Sequence, residues 1–250
     1  MAFITYTSGE QAVGKHTDTG LFEKKPIGFR EDDGLLSPYS NIFYWTYKWT
    51  EKGTRAEEHS YKGFEIITFM LTGEIEYYDN KFRVWKNLTA GDMQVLRSGN
   101  GVIHSERLLP GSSLIQIWTD PDLEKSINQP ASYFKYTSDQ LPVLIEKGRS
   151  TKIYCGPGSP VRLQAEQLVI TEVSFAEGYH FFKCSKELFV SGFVLEGELV
   201  IRRNTLASKD FFVAKEEESF EIKAITDCRL FITESPLEPS YPTYAEKYRI

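Results

Sequence analysis

Apolar and β-branched residues recur along this chain in short runs, each closed by glycine, proline, asparagine or aspartate. The runs Asn41 to Trp49, Phe64 to Leu71, Glu74 to Tyr78, Phe82 to Trp85, Met93 to Leu96 and Ser113 to Trp118 carry the signal. No segment holds a helical period for long, so the pattern predicts an all-β fold with few short helices. Asp79-Asn80-Lys81 reads as a hairpin turn between Glu74–Tyr78 and Phe82–Trp85, because Asp and Asn tolerate the left-handed conformation. Gly73 and Gly91 mark further bends. Thr119 to Ser150, with Pro121, Pro130 and Pro142, is polar and turn-rich and reads as a crossing between two halves.

The second half repeats the first. With Gly73 placed on Gly197, Phe69-Met70-Leu71-Thr72-Gly73-Glu74-Ile75 aligns with Phe193-Val194-Leu195-Glu196-Gly197-Glu198-Leu199, and Asp92-Met93-Gln94-Val95 falls near Asp210-Phe211-Phe212-Val213. Two tandem antiparallel β-barrels are expected, one over residues 1–130 and one over 131–250. At this offset His59 falls on Lys183, Tyr61 on Ser185 and Glu65 on Phe189, with the counterpart of His104 near Ile222. The second barrel therefore keeps the frame without the polar cluster.

Composition narrows the function classes. The chain has 250 residues, 41% hydrophobic, with a formal net charge of −6. That is enough to bury a sizeable core, and an acidic balance argues against direct nucleic-acid binding. No apolar run approaches a bilayer span, and the first residues lack a basic-then-apolar export pattern, so a cytoplasmic protein without membrane association is expected. Cys155, Cys184 and Cys228 form no Cys-x-x-Cys and read as reduced thiols. Glu216-Glu217-Glu218 reads as a solvated turn, and His16 and His180 as structural or solvent-facing.

The chemistry concentrates elsewhere. His59 and Tyr61 stand two apart, as do His104 and Glu106, and side chains at i and i+2 leave a strand on one face. The spacing can aim two imidazoles, a phenol and one or two carboxylates, Glu65 included, into one cavity. Two histidines and one carboxylate with open positions is the arrangement of non-haem iron(II) oxygenases, and His59, His104 and Glu106 supply that set. Glu65 is the candidate base if Glu106 is tied to a metal, although the two can exchange roles. Tyr61 can act as a phenolate ligand or donate a hydrogen bond to substrate.

The segments His59-Ser60-Tyr61-Lys62-Gly63-Phe64-Glu65, Leu71-Thr72-Gly73-Glu74, Gly91-Asp92-Met93-Gln94 and Gly99-Asn100-Gly101-Val102-Ile103-His104-Ser105-Glu106 resemble four ordered motifs of the pirin family. That family has the bicupin fold of the cupin superfamily. Its motifs read His-Pro-His-Arg-Gly-Phe-Glu, Leu-Glu-Gly-Glu, Gly-Asp-x-Gln and Gly-x-Gly-x-x-His-x-Glu. The resemblance implies a metal held by His59, His104 and Glu106 in the first barrel, with Tyr61 in the place of the family's second histidine. Iron(II) is the expected ion, with manganese, nickel, zinc or no metal as alternatives. It further implies a quercetin 2,3-dioxygenase-type activity that opens a flavonol ring and releases carbon monoxide. The alternatives are a redox-dependent regulator that binds a protein partner and a metal-free small-molecule binder.

Overall fold

The computed structural model describes residues 2–14 and 19–248, nearly all of whose regular structure is antiparallel strand. Strand pairing divides the chain into two units, each built from two sheets. The first consists of Ala12–Gln140 with Leu163–Ala165 and Ser240–Ile250, the second of Met1–Gln11, Leu141–Arg162 and Glu166–Pro239. These limits differ from 1–130 and 131–250 because Ala2–Tyr6 pairs along its whole length with Phe211–Lys215, a contact of long sequence separation that no local pattern announces.

In the first unit a seven-stranded sheet runs Ser132–Tyr136, Met93–Arg97, Glu65–Thr72, Ser113–Thr119, Ile42–Thr50, Leu21–Ile27 and Ala12–Val13. A smaller sheet runs Thr54–Arg55, Val102–Leu108, Glu74–Asp79 and Lys86–Thr89, with His59–Tyr61 also paired to Val102–Leu108. The two sheets close face to face over side chains that alternate inward. Met70, Ile75, Leu88, Leu108 and Leu114 fill one end of the interior, and Ile66, Tyr77, Leu96 and Val102 the other.

Between these two apolar ends lies a polar belt. Thr46, Gln116, Thr68 and Gln94 are successive cross-strand partners on the large sheet, and all four are buried. Gln116 Nε2 donates to Thr68 Oγ1 at 3.2 Å and reaches across the interior to Glu106 Oε1 at 3.1 Å. Gln94 Nε2 donates to the same threonine at 3.4 Å. Buried amides and hydroxyls are tolerated when they answer one another in this way.

The second unit has the same pair of sheets and no such belt. Its register places Gly192 between Ile232 and Phe212, in the row that carries Thr68 between Gln116 and Gln94 in the first. The Phe212 ring occupies the space where a Cβ on Gly192 would stand. Sixteen buried residues, Val173, Phe212, Phe220 and Ile232 among them, form one continuous apolar core. The register also refines the expected correspondence. Phe182 pairs with Phe220 as His59 pairs with His104, and Ile201 pairs with Ile222 as Tyr77 pairs with Glu106. The residue standing for His104 is thus Phe220, two positions from Ile222.

Three local expectations are corrected. Phe82–Trp85 is not a strand; the partner of Glu74–Asp79 is Lys86–Thr89. Asp79 Oδ1 accepts the backbone N–H groups of Lys81 and Phe82 at 2.8 and 2.7 Å, which prolongs the turn and leaves Phe82, Val84 and Trp85 exposed. The crossing from Thr119 to Ser150 contains the short helix Leu123–Ser126 and strands Ser132–Tyr136 and Val143–Glu146. Glu217, expected in a solvated turn, is buried and ion-paired with Arg202.

Gly73 and Gly197 make equivalent connections, each between a strand of the larger sheet and the next strand in the smaller one, at φ +70° and +83°. A Cβ on Gly73 would press on Ser112, whose Cα lies 2.8 Å away, and one on Gly197 on the Asp227 carbonyl and Cys228. Strain at positive φ and the clash act together, so Gly73→Ala and Gly197→Ala should each cost about 2 to 4 kcal/mol in urea unfolding. Gly158→Ala, at positive φ in open space, should cost about 1 to 2 kcal/mol.

Candidate functional site

The small sheet brings the predicted residues together by register. His104 lies directly across from His59 on one side and Asp79 on the other, and Val102 lies across from Tyr61. Because paired residues share a face, His59, Tyr61, His104, Glu106 and Asp79 all turn to the interior. They are graded in depth. His59 is exposed at the mouth and Tyr61 half-buried, while His104 and Glu106 are 4% and 5% exposed. The Tyr61 ring meets His104 edge-on at 4.8 Å and Trp118 at 5.0 Å, and lies 6.3 Å from His59.

Glu65 does not join this group. Ile66, Thr68 and Met70 of the same strand point inward, so alternation turns Glu65 to the opposite face. There it pairs with Arg97 at 3.1 Å and accepts the N–H groups of Gln164 and Ala165 at 2.9 Å. Burial pushes its pKa up, and these three donors oppose that shift. It is a structural carboxylate, not a base. The turn at Gly63 (φ +92°) resets the alternation after Tyr61, so spacing alone could not give the face.

Sequence reading missed the groups that hold Glu106. Gln116 Oε1 accepts from Lys48 Nζ at 3.1 Å and Trp118 Nε1 at 3.2 Å, and Lys48 pairs with Glu23 at 3.6 Å. Asp79 and Tyr77 also face His104. The available signal was weak: Lys48 and Gln116 occupy polar positions within otherwise apolar strands.

Electrostatics keep the site's imidazole and phenol neutral. Burial lowers the pKa of His104, as do Lys48 and His59, while Glu106 and Asp79 pull the other way. Burial, then Glu106 and Glu23, push the Tyr61 phenol far up. Phenolate ligation at Tyr61 would have to overcome that shift.

A transition metal needs several donor atoms about 2.0–2.3 Å from one point. Among the described residues no group of three or more His, Cys, Asp or Glu side chains gathers in that way. Glu106 is engaged by Gln116, His59 stands at the mouth, and the Tyr61 ring stands against His104. In this geometry the donors do not fit a resident ion. The other candidates carry little chemistry: Cys155, Cys184 and Cys228 form no disulfide, and burial foremost pushes Cys184 and Cys228 up to about 11. His180 packs on Phe175 with Nε2 2.7 Å from the Ala176 carbonyl oxygen. His16 lies outside the described residues. No described helix is long and apolar enough to cross a membrane.

Comparison with known proteins bears out the resemblance. The Pirin family model matches residues 40–119, the stretch that holds every site residue named above except Glu23. A pirin-like protein of Caulobacter vibrioides is 23% identical over 185 residues, covering 70% of this chain and 66% of that protein. A putative quercetin 2,3-dioxygenase of Pseudomonas aeruginosa is 24% identical over 215 residues, covering 82% and 85%. The match to Arabidopsis thaliana Pirin-1 spans 44% of that protein. In structure, the chain is similar to the Escherichia coli bacterial pirin YhhW in complex with nickel(II), with a TM-score of 0.77 at 19% identity over 94% of this chain and 99% of YhhW. An oxalate decarboxylase of Lactobacillus farciminis superposes with a TM-score of 0.67 at 12% identity, covering 96% and 88%. The fold is that of the cupins.

Two predictions follow from this geometry. Glu65→Ala leaves Arg97 and two backbone donors unanswered and should cost about 3 to 5 kcal/mol in urea unfolding, with Glu65→Gln milder and neither changing ligand affinity. For His104 the unfolded imidazole titrates near 6.5 while the folded one resists protonation. The unfolded chain therefore binds more protons below that pH, and stability should fall as pH drops through about 6.5, levelling once the folded pKa is passed. Thermal melts at a series of pH values should show a flatter profile for His104→Asn.

Proposed function

From a chain whose residues 40–119 match the Pirin family model, we propose that the first barrel binds a planar, oxygen-bearing aromatic of the flavonol class at the cluster that runs from His59 to Glu106. The observation that carries this reading is the depth gradient: an exposed imidazole, a half-buried phenol and then a buried imidazole and carboxylate, walled by Trp118, Phe64 and Tyr77. Flat aromatic walls with a few convergent polar groups suit a flat ligand with hydroxyl and carbonyl edges. His59 meets the ligand at the mouth. The protonated Tyr61 donates a hydrogen bond to a ligand oxygen, the neutral His104 offers Nδ1, which has no partner, and Glu106 accepts from a ligand hydroxyl while Gln116 keeps it oriented.

A second reading is favoured by the relatives named as quercetin 2,3-dioxygenases and by the cross-strand pairing of His59 with His104. Here the protein is a metal-dependent flavonol ring-opening enzyme, with His59, His104 and Glu106 as ligands of iron(II) or another first-row ion. The ion would supply the oxygen chemistry. His59 and Glu106 would have to turn towards a common point with His104, and Tyr61 would serve substrate.

Titration of quercetin into chelator-treated protein, followed by Trp fluorescence and flavonol absorbance, separates the two. The binding reading expects saturable metal-independent binding, weakened about three- to tenfold by His59→Ala or Tyr61→Phe through loss of one hydrogen bond. Binding that appears only after addition of iron(II), nickel(II) or manganese(II), with carbon monoxide released in step with flavonol loss, would establish the enzyme reading instead. Under that reading Tyr61→His should tighten metal binding, read by equilibrium dialysis.

A further inference from the structure

The large sheet of the second unit ends in a strand that water reaches from every side. Val143–Glu146 pairs along one flank with Arg149–Cys155, and among the described residues no strand pairs with its other flank. All four of its residues are exposed. Val143, Leu144 and Ile145 keep 52, 54 and 76% of their surface in water. The opposite edge of the same sheet, Ala2–Tyr6, is mostly half-buried, and so is Ser132–Tyr136 at the edge of the first unit's large sheet, which also carries Lys135. Charge and cover of that kind protect an edge from further pairing. Here three successive apolar residues line the open flank, and the strand's one charge, Glu146, sits at the hairpin end with Arg149 3.8 Å away.

The ladder fixes which backbone groups are free. The Ile153 N–H donates to the Pro142 carbonyl at 2.8 Å, so in an antiparallel pair the bonded positions alternate from there, Leu144 with Thr151 and Glu146 with Arg149. The N–H and C=O groups of Val143 and Ile145 therefore point to the open flank. A second copy of this strand complements them. Set antiparallel about a two-fold axis at Leu144, Val143 of each copy stands opposite Ile145 of the other, and each of those pairs can exchange two backbone hydrogen bonds. Leu144 then faces Leu144 of the second copy in a non-bonded pair, where side chains come closest. Apolar residues meet apolar residues on both faces, and Glu146 falls opposite Pro142 instead of another charge. Other axes fit worse: one at Ile145 sets Lys147 against Val143 and Glu146 against Leu144, and one at Val143 requires Leu141, which is buried.

We propose that this chain self-associates through Val143–Glu146, joining two seven-stranded sheets into one continuous sheet across a two-fold axis at Leu144. The contact uses one strand edge against itself, so it closes at two copies and does not propagate. It is small beside the roughly 800 Å² per partner of a stable interface, and its dissociation constant should be on the order of 10–100 µM. No residue of the first barrel takes part, so the contact stands apart from the flavonol reading.

Sedimentation velocity of the full chain from about 5 to about 500 µM tests this. Wild type should pass from monomer to dimer over that range. Leu144→Lys, which removes the apolar pair and sets two ammonium groups across the axis, should raise the dissociation constant at least about tenfold. Because Leu144 is exposed, the variant should keep the wild-type thermal midpoint at low concentration. Ile145→Pro deletes an N–H that serves the dimer and none that serves the chain's own ladder, and should weaken the dimer likewise. The register has its own readout. Under mild oxidation Leu144→Cys should link two chains, since its thiols face each other across the axis, while Ile145→Cys, at least as exposed but set opposite Val143, should link about tenfold more slowly. A wild type that stays monomeric at the highest concentration, a dimer indifferent to Leu144→Lys, or a Leu144→Cys variant that links no faster than Ile145→Cys would each overturn the proposal.

Discussion

Glu106 sets a carboxylate in the middle of a β-barrel, 5% exposed, and a group of that kind is tolerated only where hydrogen bonds and a counter-charge answer it. Gln116 supplies the hydrogen bond across the interior, Lys48 bonds the far end of the same amide, and Glu23 pairs with Lys48. This relay spans from one sheet to the other. Thr68 and Gln94 extend it along the large sheet, and the apolar side chains are consequently divided into two clusters. The interior is a sandwich of oil, polar belt and oil.

The second barrel shows what the same frame does when no such charge has to be met. With Ile222 in the place of Glu106, the amides have nothing to answer, and Ile232, Gly192 and Phe212 occupy the row of Gln116, Thr68 and Gln94. The core becomes continuous. Backbone requirements act on both copies alike, as the glycines at 73 and 197 demonstrate. A polar belt confined to one copy is therefore not a requirement of the shared frame.

Tyr61 decides how the pocket's chemistry reads. A neutral imidazole ligates through a free lone pair, whereas a phenol must first lose a proton, and burial beside Glu106 and Glu23 makes that loss harder. The same ring makes a good aromatic wall, set edge-on to His104 and Trp118. Under the proposed reading, that ring suits a flat organic molecule better than an ion.

Much of this was legible along the chain. Short alternating runs gave the all-β class, the echo around Gly73 and Gly197 gave the repeat, and i, i+2 spacing put His59 with Tyr61 and His104 with Glu106, because a strand's side-chain period is fixed by its covalent geometry. What spacing could not give was the relation between strands. The turn at Gly63 resets the alternation and sends Glu65 to the outer face with Arg97. Only register sets Asp79 beside His104 and Tyr77 beside Lys86, and only closure of the barrel carries Gln116 to Glu106. The pairing of Ala2–Tyr6 with Phe211–Lys215 likewise joins residues some two hundred positions apart. The sequence by itself determined the strand class, the repeat and the face shared within each strand. Tertiary structure decided which strands become neighbours, and so which buried polar atoms find partners.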